Sequence, residues 1–279
     1  MTNRVWLITG CSTGFGREIA LAALRAGDRV LATARRPEQL DGLVEEWGEQ
    51  VRTCALDVTD PAAIAAAVKA AFECFGRIDV VVNNAGHGSV GAVEELTMAE
   101  LRALMEVMFF GAVTVTKAVL PHLRRQGSGA IVQLSSMGGR LSMPGFGAYC
   151  AAKFALEGLS EALAAELAPF GVRVLIVEPG AFRTEFGGAR MHRSREIEAY
   201  RVSTADTRAA VDGMDGGQPG DPAKAAAAIL AVLDAENPPL RLALGADAVE
   251  AIRAHHDRSR QELEAWAELS TSTALSPAG

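Results

Sequence analysis

Tyr149 and Lys153 stand four residues apart at the start of a strongly helical stretch, so both side chains lie on one helix face and can meet. A phenol titrates near ~10, and an ammonium beside it favours the phenolate, which predicts a tyrosine able to give or take a proton near neutrality. An alcohol and a carbonyl interconvert through proton exchange of this kind when a hydride moves to or from carbon. A Tyr/Lys pair at this spacing also occurs on solvated helix faces, so its meaning depends on what surrounds it.

The second chemical signal is the run Thr9-Gly10-Cys11-Ser12-Thr13-Gly14-Phe15-Gly16, at the junction of the first strand-like run with the first helix. Glycines there let the backbone approach a pyrophosphate at a helix N-terminus. The spacing differs from the common G-x-G-x-x-G, and glycines also serve turns for steric reasons alone. The next strand-like run ends Ala32-Thr33-Ala34-Arg35-Arg36, with no carboxylate before Glu38. An acidic residue at that place accepts from a free ribose 2′-hydroxyl, whereas an arginine suits a 2′-phosphate. The expected cofactor is therefore NADP(H) rather than NAD(H), with Arg35 as phosphate partner and Ser12 as a hydroxyl donor. The alternative for Arg35 and Arg36 is a solvated pair.

These groups need a scaffold, and the pattern supplies one. Short β-branched runs at 4–9, 29–34, 51–56, 79–82, 130–134, 172–177 and 240–244 alternate with helical stretches at 15–25, 37–47, 62–75, 98–125, 149–169, 222–235 and 247–268. The alternation predicts an α/β fold: a Rossmann-like, doubly wound, seven-stranded parallel sheet with helices on both faces. At Asp57-Val58-Thr59-Asp60-Pro61 a capping carboxylate precedes a first-turn proline. One domain is expected over 1–270, with a frayed tail at 271–279. Residues 183–221, rich in Gly, Arg and Asp, depart from the alternation and are expected to form a substrate lid, either with helices of its own or ordered only by ligand. Within it 195–201 has weak helical character.

Composition narrows the partners. The 279 residues are 49% apolar with a net charge of −7 and no basic run, which points to a small-molecule substrate and away from nucleic acid. Cys11, Cys54, Cys74 and Cys150 lack paired spacing and suit reduced thiols, as in the cytoplasm. Neither an apolar leader nor an uncharged apolar run near the ~18 residues of a membrane span is evident, so a soluble, unexported protein is expected. His255 and His256 face different directions on a helix, so no metal site is expected.

Taken in order, Thr9-Gly10, Gly14-Phe15-Gly16, Asn83-Asn84-Ala85-Gly86, Ser136, Tyr149-Cys150-Ala151-Ala152-Lys153 and Pro179-Gly180 resemble the short-chain dehydrogenase/reductase family over residues 4–270. The form of the glycine turn resembles its hydroxysteroid and retinol dehydrogenase-like branches. The resemblance implies that Tyr149 is the general acid/base, that Lys153 lowers its pKa and holds the nicotinamide ribose, and that Ser136 hydrogen-bonds the substrate carbonyl. It also implies cofactor contacts from Gly10, Ser12, Thr13, Gly14, Phe15 and Gly16. Asp57 with Val58 would meet the adenine, and the turn Asn84, Ala85, Gly86 would lie beside the cofactor. Pro179, Gly180, Phe182 and Thr184 would lie against the nicotinamide. The implied reaction is hydride transfer between cofactor and an alcohol or ketone, reduction favoured, in a homodimer or homotetramer assembled through the helices at 98–125 and 149–169. An apolar stripe of Leu156, Leu159 and Leu163 suits that assembly or packing on the sheet.

One departure stands out. The family usually has an asparagine, in a pattern like Asn-x-Phe-Gly, that positions a water in a proton relay from the lysine; here the segment reads Glu106-Val107-Met108-Phe109-Phe110-Gly111. A thioether is a weak acceptor and no donor. Either Met108 fills core space and another group holds the water, or catalysis is impaired and the fold serves as an NADP(H)-binding sensor or partner protein. His87 either lines the substrate site or is solvated. Substrate identity is expected to reside at 143–147 and 181–201. The branch implies a bulky apolar substrate, while Arg190, Arg193 and Arg195 would also suit a carboxylate.

Overall fold

The computed structural model describes residues 3–188, 191–214 and 216–275. Strands β1 (Val5–Ile8), β2 (Arg29–Ala34), β3 (Val51–Ala55) and β4 (Val80–Asn83) alternate with helices α1 (Gly14–Arg25), α2 (Asp41–Trp47) and α3 (Pro61–Phe75). A two-residue strand β5 (Ser89–Val90) precedes α4 (Met98–Met105), a π-helical turn (Glu106–Phe110) and α5 (Gly111–Gln126). The second half adds β6 (Gly129–Leu134), α6 (Gly147–Leu167), β7 (Val172–Pro179), β8 (His192–Arg193), α7 (Arg201–Asp212), α8 (Pro222–Asp234), β9 (Arg241–Leu244) and α9 (Ala246–Thr271).

Seven strands form one parallel sheet in the order β3-β2-β1-β4-β6-β7-β9. Strand residues alternate between two buried faces, as the near-continuous apolar runs require. Trp6, Ile8, Val30 and Val132 pack with Ile19 and Leu24 of α1 and Ile229 and Leu233 of α8. Leu7, Leu31, Val81 and Ile131 pack with Ile64 of α3, Val115 and Val119 of α5 and Leu163 of α6. The expected cap is present: the Asp60 carboxylate accepts from Ala62 N at 2.8 Å, with Pro61 opening α3. Strand order reverses between β1 and β4, the point at which open α/β sheets leave a crevice. The glycine turn leaves β1 there and the Asn84–Gly86 turn leaves β4.

The structure refines four of these readings. The helix expected at 98–125 is divided by the π-helical turn, an inserted residue's worth of slack that often accompanies a functional site. The weak helical character of 195–201 takes the form of a 3-10 turn at Glu198–Tyr200 that leads into α7 at Arg201, and the segment also pairs β8 in parallel with β5. Helix α9 continues to Thr271, so the tail begins later, and 276–279 lie outside the described residues. Leu156 and Leu163 are buried, so that stripe packs inward, while Phe154 on α6 and Phe110 in the π turn are the exposed aromatics nearby.

The stretch Met98–Gln126 is long and apolar enough to cross a membrane by length and composition, though it is not an uncharged run. It carries Glu106 and Lys117, and its Leu104, Met108, Val115, Val119 and Leu123 are buried within the protein, the pattern of a core helix. All four cysteines are free thiols.

Candidate active site

The carboxyl ends of the strands surround a cleft of about 1640 Å³, larger than the ~300–1,000 Å³ of ordinary small-ligand pockets and long enough for a dinucleotide with a second molecule. One end is built by the glycine turn. Gly14 takes a φ of +58°, a left-handed conformation that favours glycine, and faces Thr184 across the cleft. Gly16 is silent at the surface: a Cβ on it would overlap the Gly10 carbonyl oxygen and Asn84 Nδ2. The Asn84 side chain donates to Thr9 O at 2.8 Å and Gly10 O at 3.1 Å, while Thr9 Oγ1 accepts from the Asn84 and Ala85 amides. The two turns are thereby locked together.

Thr13 caps α1 without a side-chain hydrogen bond, and no acidic residue lies in its first turn. The first N–H groups of the helix thus face the cleft with their partial positive charge uncompensated, which fits a bound pyrophosphate. Arg35 and Arg36 line the cleft beyond β2, with Asp57, Val58 and Thr59 beyond β3. Asp57 accepts from Thr59 N and Thr59 Oγ1 at 2.9 and 2.8 Å. These bonds, with Arg35 nearby, hold its carboxyl below the usual range. Ser12, Phe15, Ala85 and Gly86 complete this half. The left-handed glycines, the open helix terminus and the paired arginines fit a phosphorylated dinucleotide.

The other half holds the acid/base groups. Tyr149 is the third residue of α6 and Lys153 lies one turn on. Ser136, just beyond β6, lies by the Tyr149 phenol; its hydroxyl accepts from Gly138 N at 3.0 Å and reaches Pro179 O at 3.4 Å. Lys153 Nζ donates to the Leu134 carbonyl at 2.6 Å and lies 5.8 Å from the Tyr149 ring centre. Burial pulls the lysine down to about 8, opposed by Glu157. Burial likewise pushes the Tyr149 phenol up to about 12, against the influence of the nearby Ser136 hydroxyl. The lowered phenol pKa expected from a neighbouring ammonium is therefore corrected: desolvation of the phenolate is the dominant influence and raises it.

Pro179, Gly180, Phe182 and Thr184 also line the cleft, and Phe15 meets Phe182 with ring centres 5.1 Å apart. Asp247 of α9, which the sequence did not single out, fixes this loop by accepting from Ala181 N at 2.7 Å. His87 lines the cleft, with Nδ1 3.2 Å from the Gly88 carbonyl. Met108 is buried against Leu104, Ala148, Ala152 and Tyr149. Its methyl comes within 3.6 Å of where a Cβ on Gly86 would stand.

Beyond Tyr149 the wall is apolar: Met143, Phe146, Phe186, Met191 and Met214. Of the arginines expected to suit a carboxylate, Arg193 lines the cleft but is paired with Asp212 at 3.0 Å. Arg195 is not part of the lining, and Arg190 lies outside the described residues. Residues 191–214 are held down by Glu95, whose buried carboxylate accepts from Ala92 N, Ile197 N and Arg208 at 2.7, 2.8 and 2.6 Å. Among the described residues no group of three or more His, Cys, Asp or Glu side chains is arranged to hold a metal ion.

A doubly wound sheet with a glycine turn and a Tyr/Lys pair at its switch point defines a dinucleotide-binding oxidoreductase architecture. The short chain dehydrogenase family pattern matches residues 4–194, and the chain belongs to the short-chain dehydrogenase/reductase family. Its structure superposes on a short-chain dehydrogenase from Streptomyces avermitilis with a TM-score of 0.93, at 51% identity, covering 99% of this chain and 100% of that one. An alcohol dehydrogenase from the archaeon Thermococcus sibiricus, complexed with 5-hydroxy-NADP, is 29% identical with a TM-score of 0.72, covering 86% and 95% of the two chains. The 3-ketoacyl-(acyl-carrier-protein) reductase of Brucella melitensis, complexed with NADH, is 27% identical with a TM-score of 0.73, covering 86% and 96%. Both phosphorylated and unphosphorylated nicotinamide cofactors thus occur among its structural neighbours.

Proposed function

We propose that this protein is an NADP(H)-dependent oxidoreductase that interconverts an alcohol and a carbonyl, reduction of a bulky apolar ketone being the favoured direction. The observation that carries the reading is the convergence of Ser136, Tyr149 and Lys153 on a cleft that also contains the glycine turn and Arg35. Arg35 and Ser12 would take the 2′-phosphate, Asp57 and Val58 the adenine, and Gly10, Thr13, Gly14 and Phe15 the pyrophosphate, with Gly16 giving the close approach. Asn84, Ala85 and Gly86 would flank the cofactor, Tyr149 and Lys153 its nicotinamide ribose, and Pro179, Gly180, Phe182 and Thr184 the nicotinamide. When bound, the cofactor supplies or accepts the hydride.

The protein's own part is the proton and the polarisation. Ser136 hydrogen-bonds the carbonyl oxygen, and Tyr149, neutral across the physiological range, donates its proton as charge develops there. Lys153 stabilises the phenolate left behind. Met143, Phe146, Phe186, Met191 and Met214 exclude water and favour an apolar substrate, and residues 183–221 serve as its lid in a single domain spanning 1–270. Exposed Phe110 and Phe154 support a homo-oligomer built through the α4–α5 and α6 helices. The free thiols suit a cytoplasmic setting.

The test is cofactor oxidation by the purified protein with NADPH or NADH against a panel of apolar and acidic ketones, with Met108→Asn run alongside. Turnover of apolar ketones with NADPH by the native protein supports the reading. Activity in Met108→Asn alone favours a binding protein whose relay is broken, and inactivity of both removes the enzyme assignment for these substrates.

A further inference from the structure

Asp247 reaches back from the start of α9 to the loop that leaves β7, and that loop is tied along both edges. Gly180 N donates to Leu244 O at 2.9 Å, Gly220 N to Ala181 O at 3.1 Å, and Arg183 N to Gly220 O at 2.9 Å. These three bonds join backbone to backbone. The fourth is made by a side chain: Asp247 Oδ2 accepts from Ala181 N at 2.7 Å, across 66 positions. Pro179, Gly180, Ala181, Phe182 and Thr184 line the cleft, and the Phe182 ring meets Phe15 of the glycine turn. Asp247 is not part of the lining, so its carboxylate braces this wall from outside the cleft.

Two glycines make room for it. A Cβ on Gly180 would overlap both oxygens of the Asp247 carboxylate, and its three nearest atoms would all belong to that group. Gly180 has no left-handed φ to protect, so its missing side chain serves the space alone. On the other side, a Cβ on Gly245 would overlap Asp247 Oδ1 and stand 3.5 Å from the Phe182 ring. An acidic residue in the first turn of a helix also suits the positive end of the helix dipole, a contribution of ~0.3–1 kcal/mol that needs no contact with another loop. A seat between two glycines and a 2.7 Å bond to one distant amide exceed what that role requires. We propose that Asp247 is a positioning residue of the active site: its carboxylate, seated between Gly180 and Gly245, sets the place of the Gly180–Thr184 loop against the nicotinamide. That a nicotinamide lies there rests on the function proposed above; the bracing of the loop by Asp247 does not.

Hydrogen exchange at the Ala181 amide, followed by NMR without cofactor, reads the brace itself. Exchange should be slow in the native protein and in Asp247→Asn, which keeps an acceptor oxygen, and about tenfold faster in Asp247→Ala. A carboxylate serving the helix dipole alone would leave exchange the same in all three. The urea midpoint should fall on Gly180→Ala in the native background but not in the Asp247→Ala background, where the methyl enters the vacated seat. Should Gly180→Ala fail to fold, a double variant that folds gives the same answer. In turnover with NADPH, Asp247→Ala should lose roughly ten- to a hundredfold in kcat, the cost of a small displacement near the reacting atoms. NADPH affinity should be retained, and Asp247→Asn should stay close to the native protein. Unchanged exchange in Asp247→Ala, or Gly180→Ala equally harmful in both backgrounds, overturns the inference. A native kcat in Asp247→Ala despite a freed amide overturns it too, since the brace would then serve the fold alone. The expected exchange and midpoints without any turnover by the native protein overturn only the function proposed for the cleft.

Discussion

Ser136 stands by the Tyr149 phenol at the carboxyl end of β6, close enough to act on its ionisation, and the Gly138 amide donates to the Ser136 hydroxyl at 3.0 Å. A hydroxyl held between the Gly138 amide and the Pro179 carbonyl is preorganised to donate to a carbonyl oxygen placed beside the phenol. Ser136→Ala should therefore lower kcat by roughly a hundredfold or more, the usual cost of one lost oxyanion donor, with cofactor affinity measured by fluorescence titration unchanged.

Two ionisations set the alkaline behaviour. Reduction needs the ammonium of Lys153, which is present below about 8 and lost above it, whereas Tyr149 stays protonated up to about 12. The value of kcat/KM for NADPH, which reports the free enzyme, should be level in mildly acidic solution and fall as pH rises through the lysine value. A profile flat to pH 10 would show that Lys153 is not required in its charged form.

Arg35 should decide between the cofactors. Replacing it with glutamate removes a charge-assisted bond worth ~1.5–3 kcal/mol. It also leaves a carboxylate suited to a ribose 2′-hydroxyl. NADPH affinity should drop between ten- and about a hundredfold while NADH affinity rises. Equal losses for both cofactors would mean that the arginine serves the fold alone.

Gly16→Ala gives a prediction opposite to helix propensity. Alanine ordinarily stabilises a helix interior by ~1 kcal/mol relative to glycine. Here the added carbon overlaps the Gly10 carbonyl and the Asn84 amide, so the thermal midpoint and cofactor affinity should both fall. Gly42→Ala in α2, with open space around it, should be neutral or stabilising in the same scan.

Glu95 anchors residues 191–214 over the cleft. Burial alone would raise its carboxyl, but the Ile197 and Ala92 amides and Arg208 outweigh it and hold it below the usual range. A depressed carboxylate stabilises above its unfolded-state value and loses that contribution as pH falls through the folded value. Limited proteolysis within 191–214 should thus accelerate on acidification and, at neutral pH, in Glu95→Gln, which keeps one acceptor oxygen but sets an NH2 against the donors on the other side and removes the charge opposite Arg208, at a cost of ~3 kcal/mol.

Much of this was legible beforehand because it is local or periodic. The seven sheet strands follow from short β-branched runs, and the Tyr149/Lys153 pair from a spacing of one helical turn. What was missed depends on distant partners. Strands β5 and β8 have two residues each, too few to carry a period, and exist only because the segment after Thr184 folds back. The Glu157–Arg241 contact joins α6 to β9 across 84 positions, and Asp247 reaches the Gly180 loop across 66. Nor does spacing reveal that desolvation dominates the ionisation of Tyr149.

The most direct test of the account is cofactor oxidation by native protein and Tyr149→Phe with the best apolar ketone, with NADPH binding measured in parallel. Loss of turnover in Tyr149→Phe with NADPH affinity retained is the expected result. Substantial turnover without the phenol would contradict the assignment of Tyr149 as the proton donor.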